Sequence, residues 1–326
     1  MIITVTLNAA IDKTLAVPNF RLGRRHRAVE QTSMAGGKGV NVARALKALG
    51  QPVIATGIAG RAHRHAHHRA AHRRAHPQRL RAHPRGVAHV HRRGGPHLGR
   101  ADRDQRARPQ RVGGRARAVR GQAALPGPGR GAVHLLRQRA RAGSTRALYA
   151  RLVPELRRLG VTSIVDAEGE AMRLATRAGP DVVTPNELEA EELVGHEFAD
   201  ADDRATAVKE IVEIGAREAI MTMPDGCLAL LGTDSDATRP RQLCRATLDP
   251  LEPVSSVGSG DAFLAGWVAA RYDDRPAQEC LRFAVACGAE STQHFGAGVL
   301  DPREVNRLLS EVELEVLDGQ ALSLGR

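Results

Sequence analysis

About a quarter of this chain, residues 61–142, lacks the pattern of an ordinary hydrophobic core, and that limits where a fold can come from. The block holds 22 Arg, no Lys, two Asp, no Glu and 11 of the 14 His, set among Ala, Gly and Pro. It carries +20 in a protein of net charge +12, so the remainder is net acidic. Apolar residues in it follow neither a helical nor a strand period. A packed domain is therefore expected from residues 1–60 and from Leu148 onward, where 326 residues in all still leave enough chain for a substantial core.

Three readings of the block compete. It has the composition of a disordered basic linker. As a nucleic-acid arm it would be unusual, having no Lys and no aromatic side chains on which bases could stack. It also has the texture of a GC-rich gene translated out of frame. Shifted by one base with GC-rich codons, His89–Gly99 permits T-S-T-A-V-V-D-P-T-S-G, a β-branched run and then a turn. His134–Ala140 likewise permits T-S-S-G-S-V-P. The frame reading implies compensating slips near codons 61 and 142, irregular backbone between them, and a poor or inactive protein as the chain stands.

The flanks read as α/β. Ile2–Leu7 is a strand-like run. Val40, Ala43, Leu46 and Leu49 mark one helix face, with Gly50 as the stop, and Pro52–Gly57 is the next strand. After the block, helices over Leu148–Leu159, Glu187–Val194, Ala205–Ile214 and within Arg275–Thr292 alternate with strands at Ser163–Asp166, Asp181–Asn186 and Ala219–Thr222. This alternation implies a mostly parallel sheet covered by helices. No run approaches 18 apolar residues, and the first residues read as a strand instead of a signal peptide. Cys227, Cys244, Cys280 and Cys287 have no metal-type spacing, and a reducing cytoplasm is the expected location.

Three motifs carry chemistry. Val254–Gly266 contains Gly258-Ser259-Gly260-Asp261 opening an apolar helix. Glycines let backbone N–H groups approach an anion, and a helix N-terminus favours negative charge. Asp261 is either the proton acceptor beside such an anion hole or a simple N-cap. Met34–Ala43 is a second glycine-rich helix start, Gly36-Gly37-Lys38-Gly39-Val40-Asn41, without the spacing of a Walker loop. With Asn8 and Asp12 it offers a carboxylate, an amide and close backbone to sugar hydroxyls. In Asn186-Glu187-Leu188-Glu189, a capping box and a place near phosphate-bound Mg²⁺ are both compatible with the spacing.

Together and in this order, the motifs resemble those of the ribokinase-like, pfkB-type carbohydrate kinases. Thr6–Asp12 followed by Gly36–Ala43 looks most like the 1-phosphofructokinase and tagatose-6-phosphate kinase branch. The resemblance spans roughly residues 1–60 and 145–310. It implies a three-layer α/β fold with a mostly parallel central sheet and a small β lid. The lid and part of the sheet are in question because of residues 61–142. One kinase domain over 1–310 and a tail over 311–326 are expected.

The resemblance further implies ATP and Mg²⁺ as cofactors and a small-molecule sugar phosphate as partner. It implies no specific nucleic acid and no membrane, and it admits a homodimer. Asp261 would be the catalytic base and Gly258, Ser259 and Gly260 the anion hole. Asp12, Gly37, Lys38 and Asn41 would bind the sugar phosphate. Asn186, Glu189, Thr222, Gly226, Cys287 and Ser291 would serve the nucleotide, with Glu189 acting on Mg²⁺ indirectly. Fructose 1-phosphate leads as substrate, ahead of tagatose 6-phosphate and fructose 6-phosphate. An inactive homologue and a basic nucleic-acid-binding protein are the readings of another class. Met223-Pro224-Asp225-Gly226 runs one residue short of the family's nucleotide turn.

Overall fold

A computed structural model of the protein describes residues 1–7, 9–19, 25, 27–58, 87–88, 132–136, 148–232 and 241–317. Its first strand β1 (Ile2–Thr6) leads to the hairpin β2 (Ala10–Pro18) and β3 (Glu30–Gly36), then to helix α1 (Lys38–Ala48) and β4 (Val53–Gly57). Short β5 (Val87–Ala88) and β6 (Ala132–Leu136) follow. Next come α2 (Leu148–Arg158), β7 (Thr162–Asp166), α3 (Gly169–Arg177), β8 (Val182–Val183), α4 (Glu187–Val194) and α5 (Ala201–Ile214). The chain continues through β9 (Glu218–Met223), β10 (Gly226–Leu231), β11 (Gln242–Thr247), α6 (Ser259–Tyr272), α7 (Ala277–Ser291), α8 (Pro302–Leu309) and β12 (Glu313–Val316).

Nine strands form the main sheet in the order β12-β11-β10-β9-β8-β7-β6-β1-β4. From β4 to β9 all pairings are parallel; β10, β11 and β12 continue it antiparallel. Alternation along each strand sorts the core into two layers. Ile2, Ile164, Val182 and Ile220 pack with α1, α6, α7 and α8. Ile3, Val5, Val165, Val183 and Met221 pack with α2 to α5 on the other face. The expected three-layer α/β fold is therefore the observed one. A second sheet, in the order β3-β2-β5, is antiparallel. Among the described residues no helix is long and apolar enough to cross a membrane.

Most predicted elements sit within a few residues of their expected bounds, and the exceptions are informative. Asp181–Asn186 contributes only Val182–Val183 as regular strand, with one further bridge from Asn186 to Thr222. The stretch assigned to a C-terminal tail contains β12, which pairs with β11 along Glu313-Leu314-Glu315-Val316, a period-two pattern. Residues 61–142 are not irregular throughout. Val87–Ala88 pairs with β2, and Ala132–Leu136 runs parallel between β1 and β7 inside the main sheet. The apolar run Ala132-Val133 and Leu135-Leu136 is short enough to vanish in a basic composition, yet both flanking strands satisfy its backbone. The rest of the block lies outside the described residues.

Candidate active site

The carboxyl ends of β7, β8 and β9 converge on a cavity of about 380 Å³, completed by β2, α1 and the start of α6. This is where an open parallel sheet presents its ligands. Asp12, Lys38, Asn41, Asn186, Glu189, Thr222, Gly258, Gly260 and Asp261 all line it, so the three motifs meet in space. Asn8 lies outside the described residues.

Asp261 is the third residue of α6. The N-cap of that helix is Gly258, at φ 88° in the left-handed region, and no side chain caps it. The N-cap reading of Asp261 is thereby replaced: its carboxylate, 8% exposed, faces the cavity. Asn41 Nδ2 donates to its Oδ2 at 2.9 Å. Burial, then the nearby Asp166, pushes the Asp261 pKa up to about 7, against the opposing pull of Lys38 and the Asn41 bond. Gly258 also gives way to a neighbouring loop. A Cβ there would fall 2.4 Å from Ala297 Cβ. Gly258→Ala is expected to cost about 1–3 kcal/mol through strain and clash. Urea unfolding tests this, and an unchanged midpoint would show that the turn does not need its glycine.

Across the cavity, Lys38 Nζ donates to Asp166 Oδ1 at 2.5 Å and to Glu189 Oε1 at 3.2 Å. Burial opposes the ammonium charge, but the two carboxylates outweigh it and raise the Lys38 pKa. Burial in turn raises the pKa of Glu189 to about 7 despite Lys38. Asn186 and Glu189 do form the capping box of α4: Glu189 N–H donates to Asn186 Oδ1 at 2.9 Å, and Asn186 N–H donates to Glu189 Oε2 at 3.0 Å. The same carboxylate thus caps a helix and belongs to the cavity wall.

Other sequence-predicted residues are placed differently. Asp12 belongs to the small sheet, in β2, and its carboxylate occupies the space beside Gly36, where a Cβ would fall 2.1 Å from Oδ2. Gly37 is the N-cap of α1, at φ 108°. The Ser259 hydroxyl donates to Ser256 O at 3.0 Å. Gly226 opens β10 at φ 149°, so close to β11 that a Cβ would sit 2.0 Å from Ala246 O. Cys287 is buried against Gly266, and the Ser291 hydroxyl donates to Gly288 O at 2.7 Å. Of the predicted site residues, Gly37, Ser259, Gly226, Cys287 and Ser291 lie off the cavity lining.

Sequence reasoning left several wall residues unassigned. Asp166, the acidic tip of β7, had a visible signal: a carboxylate ending a buried strand. Thr184 and Phe263 carried none. The Thr184 hydroxyl is buried with no hydrogen-bond partner among the described residues. Arg44, one turn beyond Asn41 on α1, was not singled out from the sequence. It is half-buried, and its Nη1 donates to Asn41 Oδ1 at 3.1 Å. The guanidinium also bonds the carbonyls of Ala35 and Ala297.

Comparison with known proteins follows the same lines. Residues 143–303 match the family described as pfkB family carbohydrate kinase, beginning just after the Arg/His-rich block. A 1-phosphofructokinase from Xanthomonas campestris pv. campestris is 29% identical across 89% of this chain and 91% of its own. One from Rhodobacter capsulatus is also 29% identical, across 97% of this chain and 98% of its own. Among solved structures, Escherichia coli phosphofructokinase-2 in complex with substrates and products superposes with a TM-score of 0.71 at 21% identity, covering 95% of this chain and 98% of that one. Arabidopsis thaliana ribokinase complexed with ribose and ATP gives 0.62 at 18% identity, covering 94% and 98%. At these identities the structural likeness speaks for the fold.

Proposed function

The chain belongs to the pfkB family of carbohydrate kinases, and we propose that it transfers the γ-phosphoryl group of ATP to a hydroxyl of fructose 1-phosphate. That it is a sugar kinase, a phosphotransferase, follows from the family. The observation that carries the phosphoryl-transfer reading is the buried Asp261, held by Asn41 at a glycine-lined helix start and facing a cavity with Asp12 and Lys38 in its walls; the 1-phosphofructokinases among its relatives favour the sugar.

In this reading the substrate hydroxyl gives its proton to Asp261. Its oxygen forms the new bond to the γ-phosphorus as the bond to ADP breaks. A base with a pKa near 7 is matched to that task at neutral pH. Asn41 occupies Oδ2 and fixes the carboxylate plane, leaving Oδ1 for the hydroxyl. The N-terminal end of α6, at the Gly258–Gly260 turn, would oppose the charge that develops on the phosphoryl oxygens.

Asp166 and Glu189 are hard oxygen donors in the cavity wall, which suits Mg²⁺. Among the described residues no group of three or more His, Cys, Asp or Glu is arranged to hold an ion alone. The donor set therefore fits a cation carried on the ATP phosphates, with Glu189 acting on it through water. Bound there, Mg²⁺ would supply positive charge against the developing phosphoryl charge.

The sugar is tested by kcat/KM for fructose 1-phosphate, tagatose 6-phosphate and fructose 6-phosphate with the full chain. Fructose 1-phosphate is expected to lead by roughly tenfold or more, the scale of a single well-placed polar contact. Preference for either rival sugar phosphate would reassign the substrate within the family. Preference for free ribose or adenosine would remove the branch assignment altogether.

A further inference from the structure

Arg44 is a half-buried cation beside the site that the mechanism above does not use. Its guanidinium joins three parts of the molecule that are far apart in sequence. It bonds Ala35 O in β3, the strand of the small sheet that faces the cavity through its partner β2. It bonds Asn41 Oδ1, whose amide nitrogen holds Asp261 Oδ2. It bonds Ala297 O, in the loop between α7 and α8. That loop is wedged into the site from behind: a Cβ on Gly258 would strike Ala297, and one on Gly298 would fall 2.3 Å from Asn41 O.

We propose that Arg44 is a positioning residue that orients the Asp261 carboxylate through Asn41 and ties that orientation to the lid strand at Ala35 and to the loop at Ala297 that packs on Gly258. It rests on the reading of Asp261 as the proton acceptor. The chemistry of the fork supports it. Asn41 is an amide that can flip; with Arg44 donating to Oδ1, only Nδ2 is left to face Asp261. A planar guanidinium can hold three acceptors in fixed directions, which an ammonium cannot. The charged groups around Asp261 are Asp166 at the end of β7, Lys38 and Arg44 on α1, and Asp12 on β2. Arg44 and Lys38 are the cations among them.

The test is a double-mutant cycle on the full-length protein: wild type, Arg44→Met, Asp261→Asn and the double variant, each melted between pH 5 and pH 8. Arg44→Met is expected to lose more stability at pH 8 than at pH 5, because the ionised Asp261 has lost a facing cation. That pH-dependent part should vanish in the Asp261→Asn background. Arg44→Lys keeps the charge but not the fork. It should restore the wild-type pH dependence of melting while kcat stays roughly 10- to 100-fold low, the cost of a misplaced reacting group. A loss that is the same at both pH values and in both backgrounds would make Arg44 a packing residue and overturn the proposal. Should Arg44→Met not fold, Arg44→Lys with wild-type kcat would overturn it equally. If Asp261→Asn itself keeps wild-type kcat, the proton-acceptor reading falls, while the melting cycle still reports whether Arg44 and Asp261 are coupled.

Discussion

Asp261→Asn is expected to lower kcat by roughly 10²- to 10⁴-fold, the usual worth of a positioned general base, while ATP still binds. The amide is nearly isosteric and can still meet Asn41, so a folded protein is the expected background for the loss. In the wild-type protein kcat should fall as pH drops through about 7, where the buried carboxyl takes up its proton. The same proton affects stability. Burial raises the folded pKa from the ordinary 3.8 to about 7, so the folded state binds the proton more tightly than the unfolded chain. Stability therefore declines as pH rises between those values, and Asp261→Asn should remove that decline. Steady-state kinetics and melting across pH check both halves. A variant retaining near-normal kcat would sink the assignment.

Lys38→Met is expected to destabilise the protein by about 3–5 kcal/mol at pH 8, because it leaves two buried carboxylates without their cation. Lys38 lies within 3.2 Å of both Asp166 and Glu189, whose side chains are 8% and 13% exposed. Burial already pushes both pKa values upward, with Glu189 at about 7 while the cation is present. Without Lys38 they rise further, so acidification to pH 5.5 should protonate the pair and return part of the lost stability. Urea unfolding of the nucleotide-free protein at the two pH values is the measurement. An equal loss at both would mean that the damage is packing of the lysine stem and not electrostatics.

The helices were legible because their signals are local. Gly50 and Gly195 stop α1 and α4 in left-handed conformations, and the Asn186–Glu189 box starts α4 where its spacing said it would. The two glycine-rich helix starts were readable for the same reason: a positive φ at Gly37 and Gly258 is written into residue type. Strand β6 was not legible. Its five residues sit in a block whose charge dominates any window, and a parallel strand takes its stability from neighbours on both sides. Cys287 and Ser291 were assigned to the nucleotide by the family resemblance alone, and their side chains take part in the packing of α6 and α7.

From residue order alone came the alternation of elements, the positions of both glycine-rich helix starts and the identity of Asp12, Asn186, Glu189 and Asp261 as candidates, to which the family resemblance added Asn41. Those follow from side-chain chemistry and φ preferences within a few residues. The partnerships among them did not. Asn41 and Asp261 are 220 positions apart, Lys38 and Asp166 are 128 apart, and Arg44 reaches Ala297 across 253. Only closure of the parallel sheet brings its strand ends together. Only burial there raises an ordinary carboxyl to a pKa near neutrality and sets a half-buried arginine among distant acceptors, because desolvation and charge proximity belong to the packed site and to no local stretch of chain.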